Sequence, residues 1–413
     1  MKLTLRQQLT QFAHLMQSAL FPALEEQVGE LSESAKRLVA TLELIPLTRF
    51  IPASRGWMGR PSKDRDAIAR AFVAKAVYGF SHTRQLLEAL QRDAQLRQIC
   101  GWKTARRVPH EATFSRAFAE FAQMELPQFV HAALIRETQK DRRIGHIARD
   151  STTIEARERF PKTAAQKAPS APAPPQAPLL PALPPTAAPA ATQEPAPRKR
   201  GARPGRRGPH KRWHGGKPRP ALPEGTRLQR QRSMDLSEML QDLPTNCDIG
   251  CKTNSQGHQH YWRGYKLHLD VADGQIPISA VLTSASLHDS QVAIPLMTMS
   301  SQRVTYCYDL MDSAYDAQHI AEHCRSMGHV SIVDPQERGR KSKSTLLPNT
   351  QRQFSWAEAE RYKERTMIER VNGRLKDEFG GRHIYVRGAQ TIFAHLMFGV
   401  LALTVDQLLR LAT

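Results

Sequence analysis

Tyr362–Phe379, YKERTMIERVNGRLKDEF, is the stretch on which the reading of the whole chain turns. Stepped as a helix at ~100° per residue, Tyr362, Arg365, Glu369 and Lys376 fall within roughly 60° of one another. Met367, Ile368, Val371, Leu375 and Phe379 fall on the opposite side, the apolar stripe of a helix packed on a sheet. Arg370, Arg374 and Asp377 lie on a flank. Gly373 sits inside the polar arc, where its missing side chain leaves room for a close approach. One face thus carries an aromatic ring, a planar cation, a carboxylate and an ammonium group. Such charges usually mean a solvated face with i,i+4 pairing. Here the carboxylate has cations on both sides along the axis, spaced too widely for a simple local pair. It reads as a metal-binding acid flanked by phosphate-binding groups.

The spacing Tyr-x2-Arg-x3-Glu-x6-Lys, met at Tyr362, Arg365, Glu369 and Lys376, resembles the signature of a large group of bacterial insertion-sequence transposases. Those enzymes have an Asp-Asp-Glu active site on an RNase H-like fold. The resemblance implies an α/β fold with a mixed five-stranded sheet flanked by helices, and two aspartates upstream to join Glu369. It implies two Mg²⁺ or Mn²⁺ ions on the acids, Arg365 and Lys376 on phosphates, and Tyr362 beside the cleavage point. The reaction would be cleavage of double-stranded DNA at terminal inverted repeats, then attack of the 3′-hydroxyl on target DNA, in a complex that suggests a homodimer.

Bulk properties agree. The chain has 413 residues, 59 Lys and Arg against 39 Asp and Glu, a formal charge of +20 and a pI near 10.1. Such an excess implies an acidic polymer as partner. No apolar run reads as the ~18 residues of a membrane span. The N-terminus is interrupted by Gln and His and lacks a small-residue cleavage site, so it does not read as a secretory signal. Five scattered cysteines fit a reducing compartment. The expectation is a cytoplasmic, nucleoid-associated protein that binds nucleic acid and no membrane.

Residues 1–143 read as an all-helical domain, with a clear helix over Asp64–Tyr78 ended by Gly79. GRPSKDRDAIARAFVAKAVYGFSHTRQLLEAL and PHEATFSRAF resemble the N-terminal domain of one branch of these transposases, thought to help bind element ends. By pattern alone, a packing or dimerising bundle suits them equally. A catalytic domain is expected over 144–160 and 224–413. HIARDSTTIEAR, from His146, reads as a strand bearing Asp150, although a turn or capping role would also suit a lone Asp-Ser-Thr. Residues 161–223 form an insert, Ala/Pro-rich and then basic, with the composition of a disordered segment. Its cations and Trp213 suit nonspecific DNA contact.

Beyond the insert, WRGYKLHLDVADGQIPISAVLTSA reads as a β-hairpin turning at Asp273–Gly274. Tyr265, Leu267 and Leu269 alternate with Lys266, His268 and Asp270. Cys247, Cys251, His258 and His260 raise zinc, but their spacing fits no common finger. His288 and Asp289 either brace the site, touch DNA or make a capped turn. VTYCYDL, Val304–Leu310, is a strand, and Asp312 follows it where open α/β sheets place their chemistry. Asp309 and Asp316 compete with it, Asp316 as the cap of the next helix. The Asp-x-x-Tyr-Asp motif of the resembled family selects Asp312. Val330–Val333 reads as a fifth strand, Pro335–Ser344 as a basic loop and Phe393–Leu411 as an apolar core or dimer helix. Oxygen-only ligation by Asp150, Asp312 and Glu369 suits Mg²⁺ or Mn²⁺. The competing readings are a metal-dependent nuclease selective for DNA structure and a catalytically inactive DNA-binding regulator.

Overall fold

Helices come first. The computed structural model describes residues 4–51, 64–140, 142–158, 225–253, 257–334 and 354–411. The insert at 161–223 and the basic loop Pro335–Ser344 lie outside the described residues. Helix α1 (Leu5–Leu15) starts at Thr4, whose side chain accepts from the backbone of Gln7 in a capping box. A π-helical turn, Met16–Leu20, leads into α2 (Phe21–Val28). Then follow α3 (Glu33–Leu44), α4 (Arg65–Val77), α5 (Thr83–Arg92), α6 (Ala94–Cys100), α7 (Glu111–Gln123) and α8 (Leu126–Gln139). Helix α4 is buried on nearly every side from Ile68 to Val77. Its alanines let neighbouring helices close in where longer side chains would hold them off.

The next elements are β1 (Arg143–Glu155), α9 (Arg227–Gln231), α10 (Leu236–Gln241), β2 (Asp248–Thr253), β3 (Gln259–Ala272), β4 (Ile276–Ser284) and α11 (Ser290–Ser301). They are followed by β5 (Thr305–Met311), α12 (Gln318–Ser326), β6 (Val330–Val333), α13 (Trp356–Tyr362), α14 (Thr366–Asp377) and α15 (Ala389–Arg410). Strands β4, β3 and β1 are antiparallel neighbours, while β1, β5 and β6 run parallel. The result is a mixed sheet compatible with an RNase H-like fold.

Among the described residues the sheet has six strands rather than the expected five. The addition is β2, which pairs with the half of β3 that β4 does not reach: β4 ends at Tyr265↔Ser284 and β2 begins at Gly264↔Asp248. Gly264 is required there. Its φ is +152°, and a Cβ would lie 2.0 Å from the Ile154 carbonyl oxygen. At the hairpin tip, Asp273 accepts from the backbone of Gly145 (2.7 Å) and His146 (3.1 Å), tying the turn to the start of β1.

Both faces of the sheet are covered. Ile154, Tyr265, Leu267, Leu269 and Leu310 share a core with α14 and α15, and the helices before β1 join the same core. On the other face Met311 packs with α11 and α12. Helix α15 touches α3, α4, α7 and α8 as well as β4, so the leading helices and the sheet are built on one spine. This helix corrects the expectation that no apolar run is long enough for a membrane. Ala389–Arg410 is long and apolar enough to cross one, but 83 % of its most apolar window is buried inside the protein. It is the core helix.

Candidate active site

The register of β1 against β5 brings two of the expected acids together. Arg149 pairs with Met311 in the parallel ladder. Asp150 and Asp312 are therefore the next residues on adjacent strands, whose backbones lie about 4.8 Å apart. Each carboxylate takes one backbone N–H: Ser151 N to Asp150 at 2.7 Å, and Ala314 N to Asp312 at 3.0 Å. Burial pushes the Asp150 carboxyl up to about 6, and the charges of Asp312 and Asp289 add to this against relief from the Ser151 amide and Lys252. Asp312 is likewise raised, first by burial and then by Asp289, while the Ala314 amide, Arg365 and Lys252 hold it down. Two acids share one field.

Glu369 stands apart from this pair. The helix expected over Tyr362–Phe379 is interrupted: α13 ends at Tyr362, Lys363–Arg365 tighten into a 3-10 turn, and α14 begins at Thr366. Arg365 Nη2 then meets Glu369 Oε1 at 2.8 Å, and the Glu369 side chain is 54 % exposed. This overturns the expectation that the flanking cations lie too far for a local pair, because Arg365 and Glu369 are four residues apart, the ordinary pairing distance along a helical segment. Among the described residues no three His, Cys, Asp or Glu side chains are grouped closely enough to hold a metal ion. Arg365 is the link between the two parts, since its charge acts on Asp150 and Asp312 as well as Glu369. Its guanidinium lies 5.7 Å from the centre of the Tyr362 ring, which also packs on Phe354. Farther along, Lys376 Nζ donates to Thr153 Oγ1 at 3.3 Å. The apolar stripe of α14 is buried as expected, with Met367, Ile368, Val371 and Leu375 at 1 % exposure or less. A side chain at Gly373 would meet nothing within 4 Å, so that side of the helix is open.

The competing aspartates have other roles. Asp309 is fully buried and belongs to an ionic network on the far face of the sheet. Arg149 Nη2 reaches Asp270 at 2.7 Å and Asp309 at 3.2 Å, and none of the three is exposed. Ser300 of α11 donates to Asp270, while Tyr306 and Cys324 donate to Asp309. Arg149 and its nearby donors hold Asp309 below the usual carboxylate range, whereas burial outweighs Arg149 at Asp270 and raises it. The network clamps β3, β1 and β5 side by side, one residue before Asp150. Asp316 does not cap the following helix; Ala317 takes that position, and Asp312 caps the short turn Ser313–Tyr315 instead.

Asp289, which the sequence left open among brace, DNA contact and cap, makes no capping bond to α11. Its carboxylate meets Lys266 Nζ at 2.9 Å, and His268, Lys266 and Ser151, beside Asp150, lower it against burial. Tyr315 is 1 % exposed and its hydroxyl has no partner among the described residues. Burial and the charges of Asp289, Asp150 and Asp312 raise it well above its ordinary value. Lys252, whose charge acts on both Asp150 and Asp312, was missed as part of this region. Lys252 lies on β2, a strand the sequence did not disclose.

The donor set is oxygen only and suits a hard divalent cation. Asp150 and Asp312 fit that role best: their carboxyls are raised first by burial and then by neighbouring carboxylates, Asp289 acting on both, which a cation would relieve. Glu369 would have to exchange Arg365 for it.

Two acids set side by side by adjacent parallel strands, with the charge of Arg365 acting on both, mark the candidate site of an α/β protein. Comparison with known families narrows the class. The transposase DDE domain matches residues 246–405, and the transposase domain DUF772 matches residues 25–120. The chain belongs to the insertion-sequence transposases with a DDE domain. The first match spans Asp312 and the whole signature; Asp150 lies outside both. Neither the curated proteins nor the solved structures contain a match. DDE transposases generally use divalent metal ions.

Proposed function

We propose that this protein cuts double-stranded DNA at the terminal inverted repeats of an insertion sequence and joins the freed 3′-hydroxyl to target DNA, with Asp150, Asp312 and Glu369 as the metal-binding acids. The observation that carries the reading is the register-matched placement of Asp150 and Asp312, each raised by burial and by shared negative charge. Two Mg²⁺ or Mn²⁺ ions, when bound, would supply activation of a water or 3′-hydroxyl and stabilisation of the leaving oxygen. The chain's own residues do the rest. Asp150 and Asp312 hold the scissile phosphate's surroundings fixed through strands that cannot slide. Arg365, once parted from Glu369, offers a planar fork to a phosphate, and Lys376 offers a point charge farther along. Cations flanking the acids stabilise charge that builds on phosphorus. Tyr362 contacts the strand beside the cut. The leading helices, residues 1–143, bind the ends or pair two copies in a cytoplasmic synaptic complex.

The Arg365–Glu369 pair gives a specific reason to weigh a second reading, a DNA-binding regulator that no longer cuts. One experiment separates them: incubate wild type and Glu369→Gln with terminal-repeat duplex and Mn²⁺, and map the products. Cleavage by wild type alone, with equal binding by both, supports the transposase. Binding by both with cleavage by neither establishes the regulator. Precut ends distinguish joining from cutting only; a protein that cuts but never joins is a structure-selective nuclease.

A further inference from the structure

Beside the signature helix lies a cleft of about 350 Å³ that the reading above does not use. It is lined by Arg157, Arg263, Arg382, His383, Tyr261 and Tyr385, with Glu155 as its one acid. Its parts come from three places: the residues just past β1, the β2–β3 extension, and the chain leaving α14. It adjoins Lys376, which bonds Thr153 two residues before Glu155 and feels the charges of both Arg382 and Glu155. Five residues of extended strand separate Asp150 from Glu155, about 16 Å at the usual rise.

We propose that this cleft holds the DNA backbone on the Lys376 side of the cut, as a phosphate-binding site in addition to the signature residues; the proposal rests on the DNA-cutting reading. Three guanidinium groups, one of them paired with Asp377, against Glu155 leave the basin net cationic, and planar guanidinium groups match phosphate oxygens. The cations are built in place. Arg157 lies over the Tyr385 ring at 4.4 Å, and that ring packs on His82 at 3.8 Å, so among the described residues Arg157 rests on a ring and not on a carboxylate. Arg263 donates to the Glu158 carbonyl and Arg382 is fixed by Asp377. Tyr261, 60 % exposed, offers a ring at the rim for a sugar or base edge.

The test is a salt titration of binding to a fluorescein-labelled duplex of arbitrary sequence, without divalent cations. Arg157→Ala should weaken binding about tenfold and lower the slope of log affinity against log salt by about 1; Arg157→Ala/Arg382→Ala should lower it by about 2. Arg157→Lys should restore the slope, which a folding defect would not allow. Arg232→Ala, an exposed arginine paired with Glu322 on α12, is the control. An unchanged slope, or a change no larger than the control's, overturns the cleft. Cleavage is scored separately with Mn²⁺: a protein that cuts but keeps its slope loses only the cleft, and one that never cuts but shows the slope change loses only the enzymatic reading.

Discussion

Replacing Arg149 by Met tests whether the far-face network sets the strand frame beneath the acids. Arg149, Asp270 and Asp309 are all fully buried, and one guanidinium nitrogen serves both carboxylates. Met keeps the length and apolar bulk of the side chain but leaves two carboxylates buried without a cation. Removing one partner of a buried ion pair costs about 3–5 kcal/mol, because the remaining charge stays desolvated. Replacing a whole buried ionic group by neutral residues is often neutral or stabilising, by about 1–4 kcal/mol. Arg149→Met should therefore lower the urea midpoint sharply, while Arg149→Met/Asp270→Asn/Asp309→Asn should recover at least half of the loss. The asparagines keep acceptors for Ser300 and Tyr306. The assay is equilibrium urea unfolding at pH 7.5, followed by tryptophan fluorescence and circular dichroism together. A single mutant within about 1 kcal/mol of wild type, or a triple mutant less stable than the single, would refute the reasoning. Either result means that the sheet frame does not depend on this charge.

Two further perturbations follow from buried ionisable groups. Asp150→Asn should stabilise the metal-free protein at pH 8 by about 1–3 kcal/mol: a carboxyl raised to about 6 in the fold opposes folding once pH exceeds its unfolded value, so the gain should vanish below about pH 4. Thermal melts of both proteins in EDTA at pH 8 and pH 4 check this, and a gain that persists at pH 4 would mean a packing effect. Lys75, buried in α4 with its Nζ 3.3 Å from His395 Nδ1, is lowered to about 8 by burial. The unfolded chain therefore binds its proton more readily, and wild-type stability should rise as pH climbs from about 8 to 10.5. Lys75→Met should add about 1–3 kcal/mol at pH 7, narrowing above pH 10; urea midpoints at pH 7 and 10.5 measure the difference.

The signature helix was legible because both of its jobs are written at helical spacing: the apolar stripe Met367, Ile368, Val371 and Leu375 is buried where the period places it. Strands β1, β3, β4, β5 and β6 were legible through β-branched runs and the Asp273–Gly274 turn. β2 was not. Its six residues, DIGCKT, carry a glycine where the Trp262 ring lies too close for any Cβ, so its fitness as a strand depends on a partner 12 residues away. Alternation correctly put His268 and Asp270 opposite Leu267 and Leu269, but it does not tell whether the polar face meets water. Both faces are buried, and on the polar face Arg149 and Ser300 bond Asp270 Oδ2 while Thr283 meets His268 Nε2. The same limit applies to the acids. Spacing along a chain identifies the residue types that a metal and a phosphate require. It leaves open which cation a carboxylate takes when no metal competes, and here Arg365, one 3-10 turn ahead of α14, takes Glu369. The Asp150–Asp312 pair escapes that ambiguity because hydrogen-bond register, and not side-chain choice, sets the two positions side by side.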